Sequence, residues 1–294
     1  MRSVMLMAAA VLLTGAAPAK KLLTPNDIVA QSQATAWRTI PADDLLVMDL
    51  ANGGRVVIQL APAFAPVHVA NIQALARASY WAGATVYRVQ DNYVAQWGQN
   101  ESDKPWPSGV RPKPPAEYTR PIKGLAIKPL GYADPYAPSV GFTDGWPVAY
   151  SPKAGWADLT HCYGYVGVGR DLSPDTGTGG ELYAVIGHAP RHLDRNIAIV
   201  GRVIDGIDKL SSLPRGTEAL GFYKDKAQYA PIAQLRLASQ MPAGERPSYE
   251  YMDTSSAAFA AYVHVRANRK DDFYIRPAGG VDLCNVQAPV RKKA

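Results

Sequence analysis

The feature that most constrains this fold is a pair of predicted β-hairpins in the first third of the 294-residue chain. Residues 45–50 and 55–60 are apolar alternations around Asn52-Gly53, which is the strongest short hairpin signal in a sequence. Residues 85–89 and 93–97 are rich in β-branched and aromatic side chains and flank a turn-forming segment, Gln90-Asp91-Asn92. Together with 24 prolines and 25 glycines, these hairpins argue against an all-helical fold.

The second hairpin carries an arginine, Arg88, that an apolar strand does not require. Because strand side chains alternate, we predict Arg88 on the same face as Val86, with Tyr87 and Val89 on the opposite face. A lone strand arginine is usually a solvated or ion-paired surface residue, and the residues alone leave that alternative open. In the partner strand, alternation places on one face Val94, Gln96 and Gly98, and on the other Tyr93, Ala95 and Trp97.

The segment YRVQDNYVAQWG resembles the cyclophilin signature. In that signature an arginine follows an aromatic residue or histidine, an aromatic residue comes five positions later, and a glutamine stands three positions beyond it. Arg88, Tyr93 and Gln96 match in type and spacing, whereas Trp97 departs from the usual glycine. The resemblance implies that Arg88 is catalytic in a peptidyl-prolyl cis-trans isomerase.

A second block, DLSPDTGTGGELYAVIG, resembles the strand-loop-strand of the same family. The correspondence carries Gly169 onto the small residue beside the substrate backbone and Glu181 onto a glutamine. It carries Tyr183 onto the phenylalanine at the floor of the proline pocket. All three positions are changed in type.

A third block, HAPRHLDRNIAIVGRVIDGIDKL, is similar to the family's next pocket segment. Leu193 matches the pocket leucine, and His192 stands where an aromatic residue often does. Ile197 falls where many members have a histidine. The resemblance therefore implies a substrate pocket that is recognisable but divergent.

The resemblance covers about 45–240 and implies a mainly β fold. The expected architecture is a closed antiparallel eight-stranded barrel with two covering helices. The helices are predicted from Pro66 to about Ala78, where Asn71 matches a family asparagine, and from Asp205 to Leu210. The last barrel strand is predicted near Ile232 to Leu237.

Three segments lie outside this barrel. Residues 20–44 are predicted to be an N-terminal adaptor that packs on the domain, with a helix from Asn26 to Trp37. Residues 101–160 show no regular pattern, and we expect an enlarged, ordered, Pro-rich insertion beside the site. Residues 241–294 form a C-terminal extension with a helix predicted over 254–268. The sequence favours neither a barrel cover nor a partner-binding role for it.

The chemistry implied by the resemblance requires no cofactor and no metal. Rotation about an Xaa-Pro bond has a barrier near ~20 kcal/mol because amide resonance must be broken. Arg88 would supply a fixed donor to the reacting amide, with Gln96 and Glu181 orienting it or the peptide. The pyrrolidine ring would occupy a slot lined by Tyr93, Val94, Tyr183 and Leu193.

The altered residues leave a second function open. Glu181 could neutralise Arg88 by pairing with it, and the Tyr183 hydroxyl must find a partner. Either change would slow turnover without preventing binding. A catalytically weak proline-peptide binding module or chaperone on the same fold is therefore the alternative. In both cases the expected partners are proline-containing polypeptides.

Other classes of function have little support. The five histidines lack zinc-protease spacing, and the chain has no Gly-x-Ser-x-Gly elbow for a hydrolase. The net charge of +6 is spread along the chain without a nucleic-acid reader motif.

The first 19 residues have the pattern of a secretory signal peptide. Arg2 is a positive start, 4–13 is an apolar run too short to span a bilayer, and Ala17-Pro18-Ala19 is a small-residue cleavage box. We therefore expect an exported protein, located in the periplasm, whose clients are exported proteins. No other apolar run approaches the length of a membrane span.

The chain has two cysteines, Cys162 and Cys284. In an oxidising compartment an even pair is expected to form a disulfide, which here would join the C-terminal extension to the barrel. Two buried, inert thiols are the alternative.

Overall fold

The computed structural model describes residues 23–99 and 104–293. The predicted signal peptide, 1–19, lies outside the described residues, as do 101–103 of the predicted insertion. The helices of the described chain are α1 (Pro25–Gln31), α2 (Pro66–Arg77), α3 (Ile207–Ser211) and α4 (Ala257–Ala267). The strands are β1 (Trp37–Thr39), β2 (Leu45–Leu50), β3 (Arg55–Leu60), β4 (Thr85–Val89), β5 (Val94–Gly98), β6 (Arg120–Pro121), β7 (Lys128–Pro129), β8 (Ser139–Thr143), β9 (Trp146–Ser151), β10 (Trp156–Leu159), β11 (Tyr165–Val168), β12 (Leu182–Val185), β13 (Ile199–Asp205), β14 (Ala230–Leu237), β15 (Tyr249–Met252) and β16 (Val290–Lys292).

Eight strands close into a barrel in the order β11-β12-β5-β4-β14-β2-β3-β13. All of its strand pairs are antiparallel. Alternate side chains point inward and fill the barrel, among them Leu46, Ile58 and Val166, which are fully buried. The predicted closed eight-stranded barrel is therefore confirmed, and β2 and β3 have the predicted bounds.

Helices α2 and α3 pack against this core. Pro66 begins α2. Proline suits this position because the N–H groups of the first turn have no partner within the helix, so its missing N–H costs nothing, and because its ring fixes φ near the helical value. Val69, Ile72 and Leu75 then recur on one face and join the barrel core, as does Leu210 of α3. These are the two covering helices that the resemblance implied.

The predicted insertion contains a sheet of its own, in the order β6-β10-β9-β8-β7. One face packs on the barrel, where Val148 meets Tyr165 in a buried cluster. The other face packs on the terminal segments, where Phe142 meets Phe259 with ring centroids 4.8 Å apart. The sequence of this segment shows no regular pattern, yet strands β8, β9 and β10 form a buried layer between the barrel and the termini.

The two terminal segments pair with each other. Strands β1, β15 and β16 form a three-stranded sheet in which Trp37 lies opposite Met252, and α1 packs on α4. Thr24 caps α1, but the helix ends at Gln31, so the predicted continuation to Trp37 is wrong. Trp37 instead begins β1, because pairing with the distant β15 outweighs local helix propensity.

A disulfide joins Cys162 to Cys284, with Cα atoms 5.0 Å apart and a sequence separation of 122. Cys162 is fully buried just before β11, and Cys284 belongs to the C-terminal extension. The bond links the extension to the barrel. Along the described part of the chain, no helix is long and apolar enough to cross a membrane.

Candidate functional site

The hairpin of β4 and β5 carries Arg88 on the outside of the barrel. A β-bulge shifts the strand register between Val86 and Arg88, where Arg88 pairs with Gln96. The extra residue breaks the alternation, so Val86 and Val89 both face the core while Tyr87 and Arg88 both lie outside it. The predicted opposite faces for Tyr87 and Arg88 are therefore wrong.

Three acceptors fix the Arg88 guanidinium. Its Nη1 donates to Gln96 Oε1 at 2.9 Å, its Nη2 to Gln90 Oε1 at 2.6 Å, and its Nε to the Leu220 carbonyl at 2.7 Å. The Phe222 ring centroid lies 5.4 Å from its central carbon. A guanidinium has five N–H donors, so these bonds to described residues leave two that can serve a ligand. Burial lowers the pKa of Arg88, which nonetheless stays charged.

Gln96 is held in turn by Tyr87, which is itself bonded to Glu181. Gln96 Nε2 donates to the Tyr87 hydroxyl at 2.5 Å, and that hydroxyl donates to Glu181 Oε2 at 2.5 Å. Glu181 therefore bonds to Tyr87, and the predicted possibility that it pairs with Arg88 is wrong. Burial raises the pKa of Glu181 to about 7, although hydrogen bonds from Tyr87 and the Gln99 backbone oppose the rise.

Two glycines make room for the Glu181 side chain. A Cβ on Gly98 would lie closer than 3.0 Å to the Glu181 carboxylate. A Cβ on Gly169 would lie 2.9 Å from Glu181 Cβ and 3.2 Å from Gln96 Nε2. Gly169, which was predicted to lie beside the substrate, thus adjoins the residues that hold Arg88.

An apolar cluster lies on the same outer face. Val94, Tyr183 and Val185 are buried together, with Tyr93 and Ile197 packed against them. Val94 pairs with Val185 across β5 and β12, and Tyr183 lies opposite Gln96. The sheet register therefore puts this cluster, called the slot below, next to Gln96 and Arg88.

Two of the predicted pocket residues lie in the short 3-10 turn Arg191–Leu193. The His192 ring stacks on Tyr93 with an interplanar angle of 3° and a centroid distance of 6.3 Å. Leu193 is half-buried at the end of the turn. This turn therefore brings His192 to the edge of the slot.

A buried polar chain lies beneath Tyr183. Its hydroxyl is 3.0 Å from His161 Nε2, and His161 Nδ1 is 2.9 Å from Asp194. Asp194 accepts from Arg191, which also makes two bonds to Asp134 at 2.9 and 3.1 Å. Asp134 belongs to the insertion, so the inserted segment helps to hold the floor of the slot.

The structure brings nearly all of the predicted site residues to one outer face of the barrel. The residues missed from sequence are mainly those that support Arg88 and Tyr183. Tyr87 and Gln90 could have been found because they lie within two positions of Arg88, but the other missed residues are far away in sequence. The predicted residues seen in contact with this site are Arg88, Tyr93, Val94, Gln96, Gly169, Glu181, Tyr183, His192 and Ile197, and the missed ones are Tyr87, Gln90, His161, Leu220 and Phe222.

The sequence model of the cyclophilin type peptidyl-prolyl cis-trans isomerase/CLD family matches residues 45–235. Two curated relatives, each named probable peptidyl-prolyl cis-trans isomerase, come from Brucella suis biovar 1 (strain 1330) and Brucella melitensis biotype 1. Each is 23% identical to this chain over 177 residues, which cover 60% of this chain and 74% of the relative.

The fold is similar to the crystal structure of the cyclophilin AquaCyp293 from Hirschia baltica, with a TM-score of 0.68. The two chains are 22% identical, and the alignment covers 92% of this chain and 98% of the other. The structural likeness therefore extends beyond the residues that the family model matches.

Proposed function

Because this chain belongs to the cyclophilin-type peptidyl-prolyl cis-trans isomerase family, we propose that its isomerase activity is carried by Arg88 beside the slot. The observation that supports this assignment most directly is the anchoring of the guanidinium. Three acceptors hold it in one orientation, and two donors remain for the substrate. A solvated surface arginine would not be fixed on three sides.

The mechanism follows from the amide bond. Twisting an Xaa-Pro bond breaks its resonance, and the prolyl nitrogen becomes pyramidal and gains a lone pair. A fixed charged donor stabilises that lone pair more than it stabilises the planar ground state, and this difference lowers the barrier. The slot of Val94, Tyr183 and Val185, bordered by Tyr93 and Ile197, would hold the pyrrolidine ring while the bond turns.

One charge-assisted hydrogen bond contributes ~1.5–3 kcal/mol, which corresponds to about ten- to a hundredfold in rate. The remaining acceleration would come from removing the amide from water and from holding the Xaa-Pro bond in its twisted conformation. Arg88 is available for this role because the Glu181 carboxylate accepts from the Tyr87 hydroxyl and does not pair with Arg88.

We also propose that the substrates are exported polypeptides in the periplasm. The signal-peptide pattern over 1–19 supports export, and a disulfide between Cys162 and Cys284 is consistent with an oxidising compartment. N-terminal sequencing of the protein recovered from a periplasmic fraction should begin at Lys20. Recovery of the uncleaved chain from the cytoplasm alone would contradict this proposal.

The test of the site is a proline-peptide isomerisation assay on the mature protein and on Arg88→Ala. We expect kcat/KM to fall at least about tenfold in the variant, the equivalent of one charge-assisted hydrogen bond. Arg55→Ala is the matched control, since Arg55 is a strand arginine paired with Asp49 outside the site. Unchanged turnover in Arg88→Ala would overturn the assignment. A wild type that binds proline peptides without turnover would favour the binding-module alternative.

A further inference from the structure

A continuous chain of hydrogen bonds connects Arg88 to a buried carboxylate. Arg88 donates to Gln96 Oε1, Gln96 Nε2 donates to the Tyr87 hydroxyl, and Tyr87 donates to Glu181. Each direction is imposed by chemistry, because a guanidinium only donates and an ionised carboxylate only accepts. The chain is therefore polarised from Arg88 to Glu181.

We propose that Tyr87 and Glu181 are positioning residues for catalysis, which act by fixing the side-chain amide of Gln96 and, through it, the guanidinium of Arg88. This inference rests on the proposed role of Arg88. Neither residue is assigned a direct contact with the substrate, so their effect is transmitted through Gln96.

The amide of Gln96 needs such a support. A glutamine amide can turn by half a rotation, and the turned amide would present its NH₂ group to the guanidinium, where two donors face each other. The Tyr87 hydroxyl removes this freedom because its proton is committed to Glu181 and its oxygen accepts from Gln96. An acceptor at position 181 is thus what keeps the Gln96 carbonyl oxygen turned toward Arg88.

Two features of the backbone make the chain possible. The β-bulge between Val86 and Arg88 puts Tyr87 on the same side of the sheet as Arg88. The absence of a Cβ on Gly98 leaves space for the Glu181 carboxylate, which a side chain there would overlap. The Tyr87 ring is itself fixed, since it stacks on Phe222 with centroids 6.0 Å apart.

The charged and titratable groups that face Glu181 come from several segments. Tyr87, which bonds to Glu181, and Arg88, which is linked to it through Gln96, both lie on β4. Tyr80 lies in the turn before β4. The Lys104 ammonium lies 5.0 Å from the Tyr80 ring centroid. With burial opposing ionisation, Glu181 takes up a proton as the pH falls through about 7.

Protonation of Glu181 has opposite effects on activity and on stability. A protonated carboxyl needs to donate, so it competes with the Tyr87 proton and loosens the chain, and kcat should fall toward low pH. The folded state holds this proton more tightly than the unfolded state, in which the Glu181 carboxyl has its ordinary pKa of 4.5. The contribution of Glu181 to stability is therefore present at low pH. That contribution is lost as the pH rises through about 7. A fall in kcat at low pH would therefore not arise from unfolding.

The experiment compares Tyr87→Phe with Tyr249→Phe in the mature protein, with a proline-containing peptide as substrate. Both variants delete a tyrosine hydroxyl that donates to a carboxylate, but Tyr249 bonds to Asp205 outside the site. We expect kcat to fall about tenfold in Tyr87→Phe, with KM within about twofold because the slot is intact. Tyr249→Phe should keep the kcat of the wild type.

The second variant, Glu181→Gln, retains an acceptor for the Tyr87 hydroxyl but cannot titrate. It should keep kcat within about threefold at pH 8 and lose the decline in kcat toward pH 6 that the wild type shows. If Tyr87→Phe fails to fold, this pH profile is the remaining test.

The outcomes separate the two levels of inference. If Arg88→Ala is inactive but Tyr87→Phe has the kcat of Tyr249→Phe, the positioning role is wrong and the role of Arg88 stands. An unchanged pH profile in Glu181→Gln would also overturn the positioning role. If Arg88→Ala is fully active, the proposed function fails independently of either variant.

Discussion

The hydroxyl of Tyr183 lies 3.0 Å from Nε2 of His161, and the two rings stack with an interplanar angle of 11°. Because a carboxylate only accepts, His161 Nδ1 donates to Asp194, and His161 Nε2 is hydrogen-bonded to the Tyr183 hydroxyl. The polar group at the floor of the slot is thus satisfied from below. The upper part of the ring remains apolar toward the slot.

This relationship predicts the effect of Tyr183→Phe. The variant leaves His161 Nε2 buried without its hydrogen-bond partner, which costs ~1–3 kcal/mol. We expect the free energy of unfolding, measured in urea, to fall by that amount. The KM for a proline peptide should not rise, because the aromatic ring stays in the slot. A variant as stable as the wild type would show that the hydroxyl bond contributes nothing to folding.

The disulfide predicts a dependence of stability on redox state. Closing a loop of 122 residues restricts the unfolded chain, for which chain-entropy reasoning gives at most ~5 kcal/mol. We expect Cys162→Ala/Cys284→Ala to lower the midpoint of thermal unfolding. A reducing agent should destabilise the wild type and leave the double variant unchanged. Equal sensitivity of both proteins to the reductant would contradict a stabilising bridge.

The strand pairs of the barrel could be predicted because their physical causes are local. Asn52-Gly53 selects a tight turn, and the apolar alternation of 45–50 and 55–60 fixes which face is buried. The face of Tyr87 was predicted wrongly because a bulge depends on pairing with β5, which the sequence of β4 does not encode by itself.

The inserted sheet was missed for a related reason. Every residue of β9 is buried, since this strand is covered by the barrel on one face and by the terminal segments on the other. Burial on both faces removes the alternation by which a strand is recognised. The bond between His161 and Asp194 likewise joins residues that are distant in sequence, and no local pattern signals it.

Asp158 predicts a pH dependence of stability that is separate from the site. The residue is 2% exposed, and its buried carboxyl has no hydrogen-bond partner among the described residues. Burial raises the pKa of Asp158 to about 8, whereas its ordinary pKa in the unfolded state is 3.8. At neutral pH the folded state therefore keeps a proton that the unfolded state has lost. Its contribution to stability is therefore present at low pH and declines as the pH rises through about 8.

Asp158→Asn should consequently be more stable than the wild type at pH 9. Each unit of pKa shift corresponds to ~1.4 kcal/mol, and we expect a gain of more than ~1 kcal/mol there and little difference at pH 4. Urea unfolding at the two pH values measures it. A gain of the same size at both would point to packing rather than to ionisation.

The last prediction concerns the loop that supports Arg88. Gly221 has a φ of 79°, and a Cβ there would lie 2.6 Å from Gln90 Cβ, so Gly221→Ala must displace the loop as well as strain it. The preceding residue, Leu220, supplies the carbonyl that accepts from Arg88 Nε at 2.7 Å.

Gly53→Ala is the matched control for this loop. Gly53 has a φ of 88° in the β2–β3 turn, and a Cβ there would meet nothing within 4 Å. Both variants should lose ~1 kcal/mol of stability from backbone strain. Only Gly221→Ala should also lower kcat, by about tenfold, because Arg88 loses one of its three acceptors. If the two variants have the same kcat in the proline-peptide assay, the Leu220 carbonyl does not help to orient Arg88.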